Sequence, residues 1–417
     1  MQDKKTTNFQ SGRGLHRAMA SAAVMAVLLA PVAQSTLAGR TIETRNQAPV
    51  LQWGLQDIAA VAADNVEQPR IQVAIVLDTS NSMDGLIDQT RNQLWQVVNE
   101  FSSARQNGVR PILEIALFEY GNDGNASNEG YVRMLNGFTR ELDAVSAGLF
   151  SLTTNGGSEY CGFAIETAVN SLQWSQSESD IKTIFIAGNE SFAQGPVNYR
   201  AAARLAERHG ISINTIHAGG HEEGIKDQWR SGALLAGGDY MSIDANQQVV
   251  HIVAPQDDRI AELNARLNQT YLPYGKSGAD SAERQLQQDA LSSDISVGLL
   301  AKRAKSKASA FYNNSNWDLV DAFKEGKVEA EELALMEDEN LPEPMFGMSA
   351  QEKLDYVQQQ AQTRSRIQQE ISELSESRAA YVAEKKREQV AAAPSVSDAL
   401  TNAIKKQADQ KNFSFEQ

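Results

Sequence analysis

The sequence predicts an α/β protein: a doubly wound, mainly parallel sheet flanked by helices, with a helical C-terminal extension. Three observations carry that expectation. The run Ile71-Gln-Val-Ala-Ile-Val-Leu77 is almost unbroken in β-branched and aliphatic residues, the pattern of a strand buried on both faces. Similar runs then alternate with amphipathic helical segments as far as Ile243, which is how parallel sheets are connected. Beyond Pro273 strand patterns give way to a chain rich in Ala, Gln, Glu, Lys and Arg.

The chain has 417 residues, enough for one large domain with additions or for two. Charged residues make up 22% and the formal net charge is -15. An acidic balance of that size argues against sequence-independent nucleic-acid binding and against adhesion to anionic lipid. It leaves divalent cations and basic groups as natural company. Lys4, Lys5, Arg13 and Arg17 precede the apolar run Ala18 to Val32, and Thr36-Leu37-Ala38 precedes Gly39. Residues 1–38 therefore read as a cleavable secretory signal, making the mature chain periplasmic or secreted, with no membrane span left after cleavage. Cys161 is the single cysteine, so intramolecular disulfides and Cys₂ or Cys₄ zinc sites are excluded.

Residues 39–69 form a leader whose apolar patch, Val50 to Val61, reads as a short helix or strand. After the first strand, Ile87, Leu94, Val98 and Phe101 share one helical stripe. Ile112 to Phe118 is the next strand, and Tyr131 to Leu135 returns from it through the Gly- and Asn-rich link 121–130, a hairpin loop without calcium-loop spacing. Helices are expected over Arg140–Phe150 and Glu159–Leu172, followed by a buried strand Lys182–Ala187. A helix Val197–His209, a strand Ile211–Ile216, a helix Gln228–Leu235 and a short strand Asp239–Ile243 complete the pattern. Asn246 to Leu267 reads as a helix interrupted near Pro255, which sets the main domain at 70–270. In the extension, 280–417, Trp317 to Phe323 reads as a short helix ended by Gly326. Ser349 to Arg387 reads as one long helix or a hairpin of two. Its apolar stripe slips register, so a continuous coiled coil is not specified; it suits packing on the sheet domain or pairing with another chain.

The chemistry gathers where the first strand ends. Asp78, Ser80 and Ser82 alternate along a polar turn between strand and helix, at the carboxyl end of a parallel strand where open α/β sheets bind ligands. Oxygen donors so spaced suit a hard divalent cation that keeps some of its water. This Asp-x-Ser-x-Ser turn resembles the first loop of the metal-ion-dependent adhesion site in von Willebrand factor type A domains. The likeness runs from about Gln72 to Ile243. A second loop of that family, a double glycine followed by a threonine, is matched by Gly156-Gly157-Ser158, with Ser158 in the threonine's place. The third loop's aspartate is replaced by Gly188, leaving Glu190 or the Asn189 amide to reach in instead. On that resemblance Mg²⁺, Mn²⁺ or Ca²⁺ is held by Asp78, Ser80, Ser82 and Ser158 with Glu190 or Asn189, and restoring an aspartate at 188 should tighten binding.

The resemblance implies a non-enzymatic module for adhesion or assembly, in which an acidic residue of a protein partner completes the cation's coordination. One rival makes the helical tail an assembly scaffold and the cation site vestigial. A second is a metal-dependent hydrolase, for which the sequence offers no paired base. Neither His217-Ala-Gly-Gly-His221, lacking a helix to align its histidines, nor Cys161, without a partnered base, makes a convincing zinc or nucleophile site.

Overall fold

The structure, a computed structural model, describes residues 68–244, 251–387 and 396–415. The expected signal peptide, the leader up to residue 67 and the beginning of the expected Asn246–Leu267 helix lie outside them. β1 (Arg70–Asp78) leads into α1 (Asp84–Phe101), a short β2 (Ala104–Gln106), β3 (Ile112–Tyr120) and β4 (Arg133–Thr139). Then come α2 (Leu142–Ser151), α3 (Cys161–Ser171), β5 (Ile181–Gly188), α4 (Tyr199–Arg208) and β6 (Ser212–Ala218). α5 (His221–Lys226), α6 (Trp229–Leu234) and β7 (Tyr240–Ile243) complete the first half. The second half holds α7 (Asp257–Asn268), α8 (Gly278–Ile295), α9 (Val297–Ala308), α10 (Leu319–Lys324) and α11 (Ala330–Leu335). It ends with α12 (Ala350–Arg387), α13 (Val396–Gln410) and β8 (Phe413–Phe415).

The six-stranded sheet has the order β4-β3-β1-β5-β6-β7 and is parallel except for β4, which forms the expected hairpin with β3. The chain builds outward from β1 through β3 and β4, then crosses to β5 on the other side. The carboxyl end of β1 is therefore the topological switch point, where a crevice opens. Register sets the levels: Asp78 lies opposite Tyr120, Leu77 opposite Ala187, and Gly188 opposite His217.

Alternation along β1 divides the core. Ala74 and Val76 pack with Ile184, Ile186 and the helices α3 and α4, while Val73, Ile75 and Leu77 face α1 and the C-terminal helices. On that second face α13 lies against α1, β5 and β6, and β8 pairs antiparallel with β2. Val396, Leu400, Ile404 and Ala408, one helical turn apart, are buried in the same core as β1. The helical region read as an extension thus belongs to one compact unit, residues 66–417, with the sheet.

α12 is a single continuous helix of 38 residues. It packs on α7 and α9 and, nearer its start, on α10 and α11. Its register slip is filled by cations: Arg364 pairs with Asp318 at 2.6 Å and Asp321 at 2.9 Å, and Arg378 with Asp257 at 2.5 Å. Asp318 also caps α10, accepting from Asp321 N at 2.9 Å. Among the described residues no helix is long and apolar enough to cross a membrane.

Candidate metal centre

β1 delivers Asp78 into the interior, 0% exposed, and the chain turns sharply after it. The turn is fixed by Ser80 N donating to Asp78 Oδ1 at 2.8 Å and by Thr79 N donating to Tyr120 O at 2.8 Å. Backbone bonds lace the second loop to this turn: Asn81 N to Gly156 O at 3.1 Å and Asn155 N to Thr79 O at 2.9 Å. The third loop closes the set, Asn189 Nδ2 donating to Ser82 Oγ at 3.0 Å and Glu190 N to Glu159 Oε2 at 3.3 Å. Three turns distant in sequence therefore meet at one place.

The structure brings Asp78, Ser80, Ser82 and Asn189 together. Ser158 is half-buried, its backbone bridged to Gly121 beside Asp78, and the following residue, Glu159, is buried. Glu159 is 2% exposed, and its carboxyl sits close enough to Asp78 for the two charges to interact. It is free to do so because α3 begins at Cys161, two residues later than the sequence pattern suggests. Glu190 is exposed, holding the loop by its backbone, whose carbonyl accepts from Trp229 Nε1 at 2.8 Å. Gly121, at φ +81°, admits both acids: a Cβ there would stand 2.5 Å from Asp78 Oδ1 and 3.0 Å from Glu159 Cγ.

Gly188 has a local explanation in Tyr120, which reasoning from the sequence missed. The Tyr120 hydroxyl donates to Ala187 O at 3.1 Å and fills the space a side chain at 188 would need. A Cβ on residue 188 would lie 2.4 Å from that hydroxyl and 3.0 Å from Asp78 Oδ2. Gly188→Asp is therefore expected to destabilise by about 1–3 kcal/mol, as overpacking does, without tightening cation binding. Adding Tyr120→Phe should recover part of the loss, as measured by urea denaturation. This reverses the effect expected from the sequence.

Burial drives the Asp78 carboxyl well above the usual carboxylate range, and the Glu159 charge beside it pushes the same way. Burial likewise raises Glu159. Burial also raises the Tyr120 hydroxyl and the Cys161 thiol, whose Sγ sits 3.6 Å from Tyr120 Oη. A thiol so placed is inert, which removes it as a nucleophile. His217, 1% exposed, has Nε2 3.2 Å from Asn189 O, while His221 packs on Tyr240. The two histidines do different work and do not form a zinc pair.

Asp78 Oδ2, Ser80 Oγ and Asn189 Oδ1 are buried with no hydrogen-bond partner among the described residues. Groups so placed ordinarily meet water or an ion, since leaving them unpaired is costly. Among the described residues no group of three or more His, Cys, Asp or Glu side chains is gathered to hold a metal. What the loops offer is two carboxylates, hydroxyls and an amide, a hard oxygen set that fits Mg²⁺, Mn²⁺ or Ca²⁺ and not a soft-ligand metal.

The family model of the von Willebrand factor type A domain matches residues 72–226. The fold is of that class, a mostly parallel sheet flanked by helices, here with a helical C-terminal region. Solved structures with similar folds include proximal thread matrix protein 1 from the mussel byssus with a zinc-occupied MIDAS motif. It is 13% identical over 43% of each chain, with a TM-score of 0.34. BatB from Bacteroides thetaiotaomicron is 15% identical, covering 42% of this chain and 90% of its own, with a TM-score of 0.32. The pilus adhesin SpaC from Lactobacillus rhamnosus GG is 13% identical, covering 43% of this chain and 28% of its own, with a TM-score of 0.31. The present chain spans less than half the length of the byssus protein it matches. Among curated proteins no match is found.

Proposed function

We propose that this chain is an exported, non-enzymatic protein-binding module whose cation site at the carboxyl end of β1 engages an acidic group of a partner. The observation that supports it is the set of unpartnered buried oxygens, Asp78 Oδ2, Ser80 Oγ and Asn189 Oδ1, on turns that meet. Asp78, Ser80 and Ser82 would hold a divalent ion, with Glu159 as the second carboxylate and Asn189 at the rim. Ser158, bridged to Gly121 beside these acids, would be a further donor as the resemblance implies, while Glu190 is exposed. When bound, the cation supplies an open coordination position for a partner oxygen. Asp78 and Glu159 together balance its double charge, so the partner's carboxylate completes the coordination sphere and does not neutralise excess charge. The backbone laces among the loops keep these donors preorganised, which lowers the ordering cost of binding. A rival reading, a scaffold acting through its helical tail, draws on Tyr120 filling the third-loop position. The tail's burial against the sheet leaves it less surface for that work.

Thermal unfolding tests the site. A cation bound only by the folded chain stabilises it by about 2.7 kcal/mol at a hundred times its Kd. Mg²⁺ or Mn²⁺ should raise the wild-type midpoint and leave that of Asp78→Asn unmoved. Equal rises in both would refute the assignment. In chelator the sign inverts. The folded Asp78 keeps a proton that the unfolded chain releases, so stability falls as pH climbs from the ordinary carboxylate range through the raised folded pKa. Asp78→Asn should flatten that slope and be more stable than wild type at neutral pH by about 1–2 kcal/mol, the scale seen when a functional strain is relieved.

A further inference from the structure

A cavity of 260 Å³ lies between α1, α9 and the second half of α12, well away from the turns described above. Its lining mixes Lys302, Lys305, Arg378, Ser375 and His251 with the apolar Ile252, Val382 and Ala383. Several of these groups are held in a defined way. Arg378 is fixed by Asp257 at 2.5 Å, and Lys302 Nζ reaches Gln96 Oε1 at 3.0 Å. His251 Nε2 is 3.1 Å from Asn92 Oδ1. Glu100, the carboxylate in the lining, is engaged by Lys405 at 2.9 Å. Lys305 has no ion pair among the described residues. The result is a positive recess on a chain whose net charge is -15. The field is felt inside it: burial, then Lys302 and Arg378, hold the His251 imidazole below its usual pKa.

A second observation points the same way. Ser375, 4% exposed, lines this cavity and its Oγ has no hydrogen-bond partner among the described residues. A buried hydroxyl left without a partner in a cavity that two lysines also line is a donor waiting for an acceptor. Ammonium groups and a hydroxyl are the equipment for an oxyanion, and the apolar side chains among them accommodate carbon.

We infer that this cavity binds a small organic oxyanion, a phosphate or carboxylate head on a short apolar body. Lys302, Lys305 and the Ser375 hydroxyl take the head, while Ile252 and Val382 cover the body. The site is independent of the cation centre and of the function proposed for it.

Calorimetric titration of the full chain in EDTA at constant ionic strength tests this, with glycerol 3-phosphate and inorganic phosphate as separate probes. Both should bind saturably, the organic phosphate more tightly. Lys305→Glu should weaken binding at least tenfold with the unliganded thermal midpoint unchanged, and Ser375→Ala should weaken it several-fold. Asp78→Asn should bind as wild type does. Absence of saturable binding by either probe, or unaltered binding by Lys305→Glu, would overturn the inference. So would loss of binding in Asp78→Asn, which would move the ligand to the other site.

Discussion

A chain ended after Arg387 should lose cooperative folding. That truncation removes α13 and β8, and with them Val396, Leu400, Ile404 and Phe413 from the core shared with Val73, Ile75 and Phe185. Each large apolar side chain fully buried contributes about 1.5–3 kcal/mol. The few that α13 supplies already rival the roughly 5–15 kcal/mol by which a domain exceeds its unfolded state. The loss is also localised, because it uncovers the parts of β5 and β6 against which α13 packs. Ile404→Ala is the milder form, expected to cost about 2–5 kcal/mol by leaving a cavity at a fully buried position. Urea denaturation followed by circular dichroism reads both. A truncated chain with the full-length midpoint would mean that α13 is an appendage and would restore the scaffold reading of the tail.

Arg303→Ala should be the most damaging single charge substitution. Arg303 is wholly buried, pairing with Asp143 at 2.5 Å and Asp289 at 2.5 Å, with its guanidinium 4.6 Å from the Trp95 ring centroid. Lys307 joins at 2.9 Å from Asp289, and the Tyr312 hydroxyl donates to Asp143 at 2.5 Å. Two cations and two anions balance one another and bind α2, beside the sheet, to α8 and α9. The arginine's pKa is raised despite burial because both carboxylates face it, and Asp289 is pulled well below the carboxylate range by Lys307 and Arg303 against its own desolvation. Removing the arginine leaves two buried carboxylates with one lysine, a loss of about 3–5 kcal/mol. Arg303→Met with Asp289→Asn should lose less than the two single substitutions summed, because each single leaves a charge stranded. Simple additivity would show that the quartet does not act as a unit.

Much of this architecture was readable in the sequence wherever the signal was local. The buried runs at Ile71–Leu77 and Lys182–Ala187 announced central strands, and the polar turn Asp78-Thr-Ser-Asn-Ser82 announced a site at a strand's end. Features that depend on distant partners were not readable. Glu159 looked like the first residue of a helix, and only the positions of Asp78 and Gly121 show why its carboxylate turns inward. Tyr120 fell between the expected strand and loop and drew no reading, yet its hydroxyl fills the space a side chain at 188 would need. In the tail, helical composition was plain, but Arg364 and Arg378 spoil the apolar stripe of α12 until Asp318 and Asp257 are seen facing them. The spacing of Val396, Leu400, Ile404 and Ala408 was a signal for α13 that the sequence did carry.

The cation centre itself is most directly tested by crystals grown in Mn²⁺, with data collected at a wavelength where manganese scatters anomalously. A single strong peak is expected beside Asp78, at bonding distance from the Ser80 and Ser82 hydroxyls and absent from Asp78→Asn crystals. No peak there, or a peak that survives the substitution, would contradict the proposal that these three turns meet in order to hold a metal.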